Sequence, residues 1–187
     1  MKETQRQSAE RGMTLLELLI AMVVLAVGLG AICVLFCNAL LVTNRNFRDT
    51  SGTFLAKMVL ESISAQHPDS NQPIVVTDCQ GTTWNITPTG GAFPGLGATM
   101  NTVTGTLDQT QSLNTLVASG YGMKFADCGT GGNGTPVTYD VRWNVTTITA
   151  NQTRMVTVTA RVQNGPANQL GGRMFALPVT LRGIAGP

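Results

Sequence analysis

From Leu18 to Val42 the chain carries no charged side chain, and Asn38 is the only strongly polar group in that span. As a helix it is long enough to cross a bilayer, which takes about 20 residues. Glu17 stands at its edge, where an unpaired charge is costly. A secretory signal peptide has an apolar core of about 7–15 residues followed by a small-residue cleavage site. This span is longer, no A-x-A pattern follows it, and a carboxylate opens it. A lipoprotein signal needs small residues just before a cysteine, but Ile32 precedes Cys33 and Phe36 precedes Cys37. A plain membrane anchor accounts for the length. It leaves the string Gly12-Met13-Thr14-Leu15-Leu16-Glu17 unexplained.

That string resembles the type III signal of type IV pilins and type II secretion pseudopilins. The resemblance implies a leader, Met1–Gly12, removed by a dedicated peptidase that cuts between Gly12 and Met13 and methylates the new amine. Glu17 is then the fifth mature residue. A free α-amine is cationic below about pH 8. Two isolated opposite charges in lipid each cost energy, and pairing between subunits compensates both. Glu17 lies about 6 Å along a helix axis from Met13, so a neighbour's amine can meet it at one axial stagger only. The carboxylate acts as a register key.

The helix extends beyond the span. No proline occurs before Pro68, and Phe47, Phe54, Leu55, Met58, Val59 and Ile63 recur at helical spacing. One helix from Thr14 to Gln66 is expected, ending before His67-Pro68 because the residue preceding proline avoids the helical region. Gly28 and Gly30 mark either a bend or a close helix contact. After Pro68 the pattern turns to strands. Tyr139, Val141, Trp143 and Val145 alternate with polar residues, as do Val156, Val158, Ala160 and Val162, which reads as a hairpin. Met174–Arg182 reads as a further strand, at an edge because of Pro178. Ile74–Thr77 and Trp84–Thr87 are weaker strand signals. Two stretches, Pro88–Thr106 and Cys128–Pro136, are glycine-rich and read as loops, either tolerated insertions or a variable contact surface. The alternating hairpin and the glycine within Val23–Leu29 are similar to PilV-like minor pilins.

Among 187 residues the net charge is +2 and only 12% are charged, with no basic stripe, so no nucleic-acid contact is expected. Basic residues flank both ends of the span, so charge does not settle orientation. Cys33 and Cys37 lie four apart in the span, where a mutual disulfide is awkward on one helix. Cys79 and Cys128 lie in the polar part. An even pair in an exported domain reads as a disulfide, with two free thiols as the alternative. Many pilins place a disulfide near the C-terminus, and here the chain continues well past Cys128. His67 is the one histidine, so a His-based nucleophile or zinc site has no second histidine to use. No catalytic residue, metal or cofactor is expected.

The expected fold is α+β: a long N-terminal helix, its first half transmembrane, on a small antiparallel sheet. The expected division is leader 1–12, membrane or filament-core helix 13–43, amphipathic helix 44–67 and β-rich domain 68–187. The resemblance implies a PilV-like minor pilin of a type IV pilus. Its partners would be other major and minor pilins, the prepilin peptidase/N-methyltransferase and an inner-membrane assembly platform. It would reside in the inner membrane with its C-terminal domain outside the cytoplasm, then in the pilus. A type II secretion pseudopilin and a membrane-anchored binding module are the alternatives.

Overall fold

The computed structural model describes residues 14–67, 69–129, 136–149, 153–163 and 178–186. The chain divides into two compact units, Met1–Asn44 and Arg45–Pro187. Helix α1 (Leu15–Ser64) contributes to both. It is rich in Leu and Ala and free of proline, so nothing forces a break, although Gly28, Gly30 and Gly52 each lower helix propensity by about 1 kcal/mol relative to Ala. In the first unit, Leu15–Leu40 has a mean hydropathy of 3.0 and every described side chain is exposed. A helix that is apolar all round belongs in lipid or inside an assembly.

The second unit is built on antiparallel strands. Strands β1 (Ile74–Thr77) and β2 (Thr83–Ile86) form a two-stranded ribbon. A five-stranded sheet contains β3 (Leu96–Gly97), β4 (Gly122–Asp127), β5 (Val137–Thr149), β6 (Thr153–Val162) and β7 (Val179–Ala185). Its centre is the β5–β6 hairpin, in the register Val141↔Ala160, Trp143↔Val158, Val145↔Val156. β7 lies along the far side of β6, whereas β3 and β4 share the other side of β5. The short helix α2 (Leu113–Ser119) precedes β4. It stops at Gly120, whose φ of 73° suits the left-handed position that ends helices.

One sheet face carries Tyr139, Val141, Trp143, Val145, Val156, Val158 and Ala160, all buried. Leu55, Ala56, Val59 and Ile63 of α1 join the same apolar core, and a Cβ on Gly183 of β7 would lie 3.0 Å from Leu60. The α+β fold class read from the sequence is therefore present. Its details differ in four places. Helix α1 ends at Ser64 rather than Gln66, followed by one further turn in which Gln66 N–H donates to the Ile63 carbonyl. Phe47 and Phe54 do not pack on the sheet; they are 49% and 66% exposed. The expected strand Met174–Arg182 overlaps β7 over residues 179–182 and β7 runs on to Ala185; residues 174–177 lie outside the described residues.

The fourth difference is the stretch 88–106, which is not merely loop. It supplies β3, and Ala98 and Met100 are buried. With the residues up to Gln111 it forms a strap across the polar face of the sheet. Beneath it Asp140, Arg142, Asn144, Thr146, Thr157 and Thr159 are buried. The sheet side chains donate to strap carbonyls: Asn144 to Ala98 at 2.9 Å, Thr146 to Pro94 at 3.2 Å, Arg142 to Asp108 and Gln111 at 2.9 and 2.7 Å, Arg161 to Gln109 at 3.3 Å. Arg182 of β7 donates to Gly105. Asp140 accepts a bidentate pair from Arg142 at 2.7 and 2.8 Å and further bonds from Arg161. Gly97 lets the strap touch β5: its φ is 106°, and a Cβ there would lie 2.5 Å from the Trp143 carbonyl oxygen.

Candidate functional site

The candidate site is the start of α1. The N–H of Glu17 donates to the Thr14 hydroxyl at 3.2 Å and to the Thr14 carbonyl at 3.0 Å. Thr14-x-x-Glu17 is thus a capping-box sequence with its Thr half formed, which fixes the helix start at Leu15. This role of Thr14 was missed from the sequence, although the Thr-x-x-Glu spacing carries it. Glu17 sits in the first turn, where the helix dipole favours an anion. It is exposed, and among the described residues no cation reaches its carboxylate. Gly12 and Met13 lie outside the described residues.

Residues 7–32 match the prokaryotic N-terminal methylation motif. The match includes the Gly12-Met13 junction, Thr14, Glu17 and the first part of the apolar helix. The motif is the prepilin signal of type IV pilin-like proteins and supports a pilin or pseudopilin subunit. It implies processing by a prepilin peptidase and assembly with other pilins, and with the apolar helix it fits anchoring in a membrane before assembly. No curated protein and no solved structure matches the chain.

Cys79 and Cys128 are joined in a disulfide with Cα atoms 6.0 Å apart, which ties the β1–β2 turn to the end of β4. Closing that 49-residue separation is worth about 4 kcal/mol through the unfolded chain in the entropic account. Cys33 and Cys37 are free and exposed on α1. His67 lies 3.7 Å from Asp69 at the surface, and among the described residues no group of three or more His, Cys, Asp or Glu could hold a metal.

Beside the disulfide, Asp78 organises the same turn. Its carboxylate accepts from the Gln80 and Thr82 amides at 3.0 and 2.9 Å and from the Trp84 indole at 3.1 Å. Burial opposes its charge, but the Trp84 bond and the amides of Thr82, Gln80 and Ala126 outweigh burial and hold its pKa below the ordinary carboxylate value. A folded pKa below the unfolded one means the stabilisation is complete above the unfolded value, near pH 4, and fades as pH falls through the folded value. Asp78→Asn should therefore be less stable than the parent at neutral pH, with the gap narrowing below about pH 4. Unfolding midpoints of both proteins across that range check this; a gap independent of pH would refute it.

Proposed function

We propose that this protein is a structural subunit of a type IV pilus, a minor pilin of PilV-like type. The observation that carries the reading is the methylation motif lying on an exposed apolar helix that runs on into a sheet-bearing domain. The leader, residues 1–12, is removed between Gly12 and Met13. Residues 13–43 hold the subunit in the inner membrane and then in the filament core. The remaining helix, 44–67, and the β-rich domain, 68–187, stand outside the cytoplasm, braced by the Cys79–Cys128 disulfide. Glu17 selects the stagger between neighbours by meeting the methylated amine of another subunit. The peptidase, an inner-membrane assembly platform and other major and minor pilins are its partners.

The test is mass spectrometry on sheared surface filaments. The chain should be recovered there beginning at a methylated Met13, and Gly12→Val should keep the leader and remain in the membrane. A mature protein that still begins at Met1 would refute the processing step. Recovery from a secretion pseudopilus, with none in surface pili, would overturn the minor-pilin assignment and leave the motif intact.

A further inference from the structure

β4 is paired with β5 alone. On the β6 side of β5, the Gln163 N–H donates to the Thr138 carbonyl at 2.8 Å. Thr138 and its partner Ala126 therefore form a pair that exchanges no backbone bonds. The backbone groups of Ala126 point away from the sheet, and by the two-residue period those of Lys124 do the same. Such an edge is a template for another strand. Among the described residues no strand pairs with it. The Asp78-Cys79 turn closes its end instead. The Ala126 N–H donates to the Asp78 carboxylate at 3.5 Å, and Sγ of Cys79 lies 3.1 Å from the Ala126 carbonyl oxygen. A disulfide sulfur has no proton to donate, so that contact covers the carbonyl without satisfying it. The turn belongs to the β1–β2 ribbon. At the ribbon's other end Ile86 is buried and the Thr87 N–H donates to the Gly120 carbonyl at 2.9 Å. The Asp78 end is tied to β4 by one long hydrogen bond and by the Cys79–Cys128 disulfide just beyond the strand.

We infer that the Cys79–Cys128 disulfide is a redox-gated guard on the β4 edge. Closed, it holds the Asp78-Cys79 turn over Ala126. Opened, it lets the turn swing away about Ile86 and Thr87, and β4 is free to pair with β4 of a second copy. An antiparallel edge meets its own copy across a twofold axis, because both strands offer the same outward groups at the same period. A dithiol opens the guard by exchange. Its two sulfurs join in a disulfide and release two protons and two electrons, and Cys79 and Cys128 each become a thiol. The sheet itself survives, since its core is built from β5, β6 and α1.

The experiment compares three forms of the detergent-solubilised full chain: the oxidised parent, the parent treated with dithiothreitol, and Cys79→Ser combined with Cys128→Ser. In the last two, backbone hydrogen exchange at Ala126 should quicken roughly tenfold or more, while Val156 and Val158 in β6 keep their protection. Both should also gain an associated species of twice the parent's mass. Adding Lys124→Pro to the double variant removes an outward N–H from the edge strand. It should abolish the added association and leave the faster exchange at Ala126. Unchanged exchange at Ala126 would overturn the guard, as would no gain in mass or association that persists with Lys124→Pro. Loss of protection in β6 would overturn it too, because the opening is local to the turn.

Discussion

Glu17→Ala should leave processing intact and lower recovery in sheared filaments roughly 10–100-fold. An unpaired carboxylate in a bilayer costs about 2.5–3.5 kcal/mol at mid-depth and less towards the edge. Removing it therefore makes residence in the membrane no harder. If Glu17 keys the register as proposed, the harm falls on the partner, whose amine loses its counter-charge, and about 1.4 kcal/mol corresponds to tenfold in occupancy. The Thr14 hydroxyl accepts from the backbone N–H of residue 17, which alanine keeps, so the helix still starts at Leu15. Gly12 is untouched, and the peptidase cut should survive. Mature size in membranes and amount in filaments are read from the same cells. Normal values for both would show that Glu17 sets no register.

Asp140→Ala should destabilise the second unit by about 3–5 kcal/mol, because it strands the buried Arg142 cation. The side chains of Asp140 and Arg142 are each 2% exposed, and Arg161 shares the same carboxylate. Arg142 would keep its bonds to the Asp108 and Gln111 carbonyls but lose its only counter-charge within salt-bridge distance among the described residues. Lys57→Ala supplies the contrast. It breaks an ion pair whose side chains are 62% and 65% exposed, so the loss should be below about 0.5 kcal/mol. Urea midpoints of the detergent-solubilised proteins compare the two. A shift for Asp140→Ala no larger than that for Lys57→Ala would show that the buried pair contributes nothing.

The two substitutions fall on opposite sides of what could be read from sequence. The methylation motif around Glu17 was legible because its signal is local: a glycine, a carboxylate five positions later and an apolar run. The central hairpin was legible because residues 139–146 and 156–163 alternate without interruption. Alternation distinguishes two faces, yet it does not say what covers the polar one. Asp140, Arg142 and Asn144 mark the polar positions of that alternation, and a strap of non-repetitive chain buries them. That strap has no periodicity, and β3 has only two residues, so nothing announced it. Helix α2 is seven residues long, too short for a periodic signal. The α1 stripe was read too broadly. Phe54 is five residues from Val59, about 140° around the helix, so spacings of 3, 4 and 7 had merged two different faces. Thr14 was overlooked because the following apolar run dominates the pattern.

The strap is held by donors on the sheet and carbonyls on its own backbone, at Pro94, Ala98, Gly105, Asp108, Gln109 and Gln111. A carbonyl is supplied by every amino acid, whereas Arg142, Asn144, Thr146, Arg161 and Arg182 cannot be exchanged without losing a donor. The two sides of this contact therefore carry unequal information. The sheet must keep its side chains, while the strap must keep its path, the glycines at positions 95, 97 and 105 and the buried Ala98, Met100 and Leu107, and the rest of it only its backbone. Its outward residues, such as Val103 at 92% exposure, are free to drift. The domain can thus change the chemistry it shows to its surroundings while the scaffold beneath stays fixed.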